Sequence, residues 1–108
     1  MICLIDTVDV RPDDLESYLA AFAENYLPGA TDRGMELVGC WHTPTQIGEL
    51  VTVTVVFRME SWAHWERIRN AGVRDPLMST WVEKRRELML EGSRRFYEAA
   101  SFSPERRR

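Results

Sequence analysis

The chain has 108 residues and a mass of 12.6 kDa, with 17 acidic against 14 basic side chains and a net charge of −3. That length supports one hydrophobic core, not two. With 44% hydrophobic and 29% charged residues the composition excludes a disordered chain, and no apolar run approaches the roughly 18 residues of a membrane-spanning helix.

The start, Met1-Ile2-Cys3-Leu4-Ile5-Asp6, has no basic segment and meets an acid within six residues. No signal peptide is expected there, and a cytoplasmic location follows as the expectation. Residues 2–10 are short and β-branched and end at Arg11-Pro12, which reads as a strand. Pro12 suits a first helical turn, and Asp13 and Asp14 complement its positive end. Leu15, Leu19, Phe22, Ala23 and Tyr26 then follow at helical spacing. Leu27-Pro28-Gly29 is expected to break this helix, with Gly34 closing the loop after it.

Residues 35–42 form the second strand candidate, and Thr43 to Gly48 carries the turn chemistry of a hairpin. The third strand, Leu50 to Met59, alternates most clearly. Val51, Val53, Val55, Phe57 and Met59 point one way and Thr52, Thr54, Val56 and Arg58 the other. Ser61 is placed to cap a helix beginning at Trp62. Asp75-Pro76 interrupts it, and a second helix is expected from Leu77 to about Glu91, ended by Gly92. Its apolar face holds Leu77, Met78, Trp81, Val82, Leu88 and Met89, with Arg85 standing in a gap of that face. Arg94 to Phe102 reads as the last strand, and residues 103–108 as a basic tail expected to be disordered, which leaves residues 1–102 as the single domain.

Residues 84–108 hold eight basic side chains against four glutamates, a local net charge of +4 that leaves −7 on residues 1–83. No helix-turn-helix or aromatic-basic platform accompanies that stretch, so it reads as a solvated helix face and a frayed terminus. Nucleic acid is not an expected partner. Cys3 and Cys40 sit inside apolar strands without a CxxC pair or a His/Cys cluster, so no metal site is expected. Whether they bond depends on strand geometry, and two buried free thiols are the expectation.

The order strand, helix, strand, strand, helix, strand is the split βαβ, ferredoxin-like arrangement, an α+β antiparallel sheet with helices on one face. The all-apolar row of the third strand should meet the helices. The mixed row, Thr52 to Arg58, then needs another cover, and 108 residues leave no element to supply it. A second copy is the natural cover, so a homodimer enclosing a cavity between two sheets is expected.

Val38-Gly39-Cys40-Trp41, then Gly48-Glu49-Leu50, then a third strand running into Ser61 resemble the NIPSNAP-like family of the dimeric α+β barrel superfamily. Arg67 or Arg69 and the Asp75-Pro76 break fit the same pattern. The strand end usually reads Trp-x-Tyr in that family but here reads Phe57-Arg58-Met59, and the tryptophan expected soon after Asp-Pro comes only at Trp81. The resemblance implies a dimeric α+β barrel. Superfamily relatives include polyketide cyclases, cofactor-free monooxygenases, haem-degrading enzymes and muconolactone isomerase-like proteins, so it implies no single reaction.

His42 at the end of the second strand is a candidate general base, with a solvent-touching strand-end histidine as the alternative. His64, between Trp62 and Trp65, reads as solvated or capping. Arg58 could bind a substrate oxyanion if its face lines the cavity, or reach solvent at the rim beside Glu60. Asp6 lies mid-strand in the row of Ile2, Leu4, Val8 and Val10. It is either a desolvated acid or base, or half of an ion pair with a neighbouring arginine. Trp41, Trp62, Trp65, Thr52, Thr54 and Tyr97 are candidate substrate contacts, with core or seam filling as the competing role of the tryptophans. The functional expectation is a small cofactor-free enzyme of cyclase, isomerase or monooxygenase type acting on a hydrophobic oxygenated metabolite in the barrel cavity between the sheets, as in secondary or catabolic metabolism. A non-catalytic binding protein or a structural homodimer is the alternative.

Overall fold

The computed structural model describes residues 1–104. In chain order it contains β1 (Ile2–Val10), a 3-10 turn (Pro12–Asp14), α1 (Leu15–Ala21), a π-helical turn (Phe22–Tyr26) and α2 (Leu27–Asp32). Then follow β2 (Glu36–His42), β3 (Val51–Met59), α3 (Trp62–Gly72), α4 (Pro76–Leu88) and β4 (Met89–Glu98). All the pairings are antiparallel and the sheet order is β2-β3-β1-β4, the ferredoxin-like topology expected from the element order.

The alternation of β3 decides which face is covered. Val51, Val53, Val55, Phe57 and Met59 are buried beneath the helices beside Ile2, Leu4, Val8 and Val10 of β1. From the helices come Leu15, Tyr18, Phe22, Tyr26, Ile68 and Trp81. Burying each such side chain contributes roughly 1.5–3 kcal/mol, so this layer dominates stability. Thr52, Thr54 and Val56 on the opposite row are half-buried, and no described element lies over them. Both edge strands are largely exposed along their length.

The first helix does not break where proline and glycine predict. It widens into the π-helical turn and resumes as α2, with Leu27 N–H donating to the Phe22 carbonyl. Pro28 falls at the start of α2, where a missing N–H costs little. The helix ends at Gly34, which adopts φ +100° while Met35 N–H reaches back to Ala30 O at 3.0 Å. The inward stripe also differs. Tyr18, Ala21 and Asn25 are buried, while Ala23 is exposed.

The last strand begins five residues earlier than expected, at Met89. Gly92 lies inside it, paired with Val8, and the helix before it stops at Leu88. The β-branched β1 offers an unpaired edge, and pairing there overrides the helical propensity of residues 89–91. The thiols need a correction too. Cys3 and Cys40 are both free, but Cys3 is half-buried and Cys40 exposed because β2 is an uncovered edge. Of the tail expected to be disordered, residues 105–108 lie outside the described residues.

Candidate functional site

Aromatic and charged groups converge between the sheet and the helices. The π-helical turn directs Phe22 and Tyr26 inward, and such turns occur often at functional sites. Asn25 donates its amide to Ala21 O at 3.0 Å and braces the wide turn. The Trp81 ring of α4 lies 5.6 Å from Tyr18, 5.7 Å from Phe22 and 5.7 Å from Tyr26. Beside this box, Tyr26, Trp65, Ile68, Met78 and Trp81 line a cleft of about 450 Å³ together with Arg85 and Arg94. A cleft of that size, mostly apolar with a few polar groups, suits a small organic ligand.

Asp6 and Arg94 stand at its inner end. Arg94 donates to both carboxylate oxygens, from Nε at 2.8 Å and from Nη2 at 3.0 Å. The guanidinium also lines the same recess as Tyr26, whose hydroxyl donates to Met35 Sδ at 3.9 Å, and lies 5.6 Å from the Trp65 ring centroid. These contacts raise the Arg94 pKa further, against the desolvation that works to lower it. Burial pushes Tyr18 up to about 12, with Arg85 working against the rise. Tyr26 is raised by burial as well, opposed by Arg94.

The expected site residues divide between the two faces of the sheet. Arg58, Thr52, Thr54, Trp41 and Tyr97 belong to the uncovered face, as their pairing with Cys3, Asp9, Thr7 and one another dictates. There Arg58 pairs with Glu36 at 2.7 Å, not with Glu60, and Thr52 donates to Asp9 at 2.7 Å. Trp41 folds back over Gly39, whose missing side chain leaves room for the ring.

Asp6, His42, Trp62 and Trp65 belong to the helix-covered side. Asp6 takes the ion-pair alternative, with Arg94 as the partner. Trp62 and Trp65 both pack on Phe96, with centroids 5.3 Å away, and Trp62 Nε1 donates to Glu98 at 2.9 Å. His42 is exposed, its Nδ1 2.8 Å from Thr43 O. It lines an open groove of about 890 Å³ between the first helical turn and the hairpin, on the flank away from the aromatic box. Asp6, His42 and Arg58 therefore do not converge. His64 braces the fold: its backbone N–H is capped by Ser61, and its ring bridges Glu60 N–H and Arg33 O. Among the described residues, no three metal-ligating side chains come together.

Tyr18, Tyr26, Arg85 and Arg94 were not among the expected site residues. Arg85 did leave a signal, as the one charge on the apolar face of α4.

Residues 4–104 match the NIPSNAP family model. The chain belongs to the NIPSNAP family. No curated protein matches it. Among solved structures it resembles an uncharacterized NIPSNAP domain protein from Burkholderia xenovorans at 19% identity and a TM-score of 0.80, covering 96% of this chain and 99% of that one. A protein from Nitrosomonas europaea, named provisionally as an antibiotic biosynthesis monooxygenase, aligns at 13% identity and a TM-score of 0.68, over 92% and 98% of the two chains. A dimeric ferredoxin-like protein from an uncultured marine organism aligns at 13% identity and a TM-score of 0.66, over 94% and 96%. At these identities the likeness concerns the fold. This NIPSNAP chain has no helix long and apolar enough to cross a membrane among its described residues.

Proposed function

We propose that this NIPSNAP chain pairs with a second copy through its uncovered sheet face and acts on a hydrophobic oxygenated metabolite held in the helix-side cleft. The reaction class is cyclase, isomerase or monooxygenase chemistry that needs no bound cofactor. The observation that carries this reading is the cleft of about 450 Å³, in which an aromatic box meets Arg85, Arg94 and Tyr26. Flat apolar surface would hold a polycyclic body, and the guanidiniums would polarise its oxygens.

One observation favours a second reading, non-catalytic binding. Among the described residues Asp6 is the only carboxylate lining the inner end of the cleft, and Arg94 already occupies both its oxygens, so the site offers no carboxylate that is not engaged by the fold.

The two readings separate in a turnover assay with metal-chelated protein and a panel of polycyclic phenols and ketones. Enzymatic function predicts product from the unmodified protein and none from Val82→Trp, which fills the cleft wall. Retention of the compounds without product supports the binding reading, and neither retention nor product overturns both.

A further inference from the structure

Next to the Asp6–Arg94 pair is a recess of about 40 Å³, walled by Tyr18, Phe22, Tyr26, Trp81, Arg85 and Arg94. It shares Tyr26, Trp81, Arg85 and Arg94 with the larger cleft, so the recess forms the deep end of one site. Its volume suits one oxygen-sized group, since a water molecule occupies about 30 Å³ of liquid.

Two polar groups face this recess without an answer from the fold. Tyr18 is 3% exposed, and its hydroxyl, which stays accessible from the recess, donates to no described residue. Such a hydroxyl keeps one O–H donor available to an oxygen that enters the recess. Arg85, one helical turn beyond Trp81, reaches the same recess and makes no ion pair among the described residues. Arg94 differs, because Asp6 neutralises it. Arg85 is thus the recess's uncompensated cation, facing a hydroxyl free to donate.

We infer that the recess receives the anionic oxygen of an organic ligand, a carboxylate, phenolate or enolate whose apolar body occupies the cleft. Arg85 supplies the charge and Tyr18 a hydrogen bond, while Asp6 holds Arg94 in place as a wall. A neutral ligand would satisfy Tyr18 and leave Arg85 unmatched. An anion answers both. The inference rests on the reading of the cleft as a small-molecule site and adds the charge of the ligand to it.

The test titrates the full chain with 1-naphthoate and with its neutral counterpart 1-naphthamide, following the tryptophan fluorescence that Trp65 and Trp81 contribute from the cleft. The unmodified protein is expected to bind naphthoate at least about tenfold more tightly than naphthamide. Arg85→Gln should remove most of that preference by weakening naphthoate far more than naphthamide, Arg85→Lys should restore part of it, and Tyr18→Phe should weaken both probes, since either can accept its hydrogen bond. Far-ultraviolet circular dichroism matching that of the unmodified protein checks that each variant is folded. Equal binding of both probes by the unmodified protein overturns the anion assignment while keeping the cleft. So does an Arg85→Gln variant that weakens both probes alike. Failure of both probes to bind the unmodified protein overturns the cleft reading and the assignment with it.

Discussion

Arg94 and Tyr18 show how a single side chain is shaped by what surrounds it. Arg94 is a surface-strand arginine in a basic stretch, yet Asp6 opposite it, Tyr26 and Trp65 fix its guanidinium on three sides. At Tyr18 burial is the largest influence on ionisation, pushing it up to about 12 against the opposing charge of Arg85. The sign of the linked stability follows. An unfolded chain releases the phenol proton near pH 10, while the folded chain holds it to about 12. The stabilisation is full below pH 10 and is lost as pH rises through 12, because only the unfolded state gains from ionising in that window. Denaturant unfolding at pH 8, 10 and 12 should show stability falling by on the order of 2 kcal/mol on this account. Tyr18→Phe should flatten that fall, and an unchanged slope in the variant refutes the assignment.

At the scale of elements, what the sequence made legible depended on whether a local pattern or a distant partner set each boundary. The period of β3 revealed its buried row because side-chain alternation is local. The capping of α3 by Ser61 was legible for the same reason: His64 N–H reaches Ser61 Oγ at 3.1 Å. The helix running through Pro28 was not legible, since the π-helical turn that tolerates it is held by packing of Phe22 and Tyr26 on Phe57. The end of α4 was equally hidden, because β1 recruits residues 89–91 from far away in sequence. Site residues obeyed the same division. Arg85 was visible as a flaw in an apolar face, whereas Asp6 could be resolved only once β4 had placed Arg94 across from it. One element junction can be tested directly. Asp75 caps α4 by accepting Leu77 N–H at 2.9 Å and binds Arg33 at 2.9 Å, tying α4 to the end of α2. The Leu77 bond first, and then Arg33, hold its carboxyl below the ordinary 3.8. A lowered folded value means stabilisation present above the unfolded value and lost as pH falls through the folded one. Asp75→Asn keeps a capping oxygen but removes the charge, so its melting temperature should lie below that of the unmodified protein at pH 7. The difference should shrink below pH 3.8, and a gap that persists in acid would show that the charge is not its source.

The whole molecule is a thin two-layer body, 42 × 35 × 17 Å, with helices over one face of the sheet only. Its other face presents Ile5, Thr7, Thr54 and Val56 at the centre, ringed by the Arg58–Glu36 pair, Trp41 and Tyr97. A patch with an apolar middle and a polar rim has the anatomy of an interface, and a two-fold pairing of sheets would cover it with itself. On the proposed reading the two faces would do different work: the uncovered face would join copies, and the helix-side cleft would hold the ligand. Arg58, Thr52, Thr54, Trp41 and Tyr97 would then act on assembly more than on chemistry. Val56 stands at the centre of this face and takes no part in the cleft. The unmodified protein should therefore sediment at about twice its chain mass of 12.6 kDa. Val56→Lys, which sets like charges against each other across the two-fold, should sediment at the chain mass and retain its far-ultraviolet circular dichroism. A monomeric unmodified protein, or a dimer indifferent to the lysine, places the contact elsewhere. The same variant also separates the two faces, because naphthamide binding in the monomer should match that of the dimer if the cleft is complete within one chain.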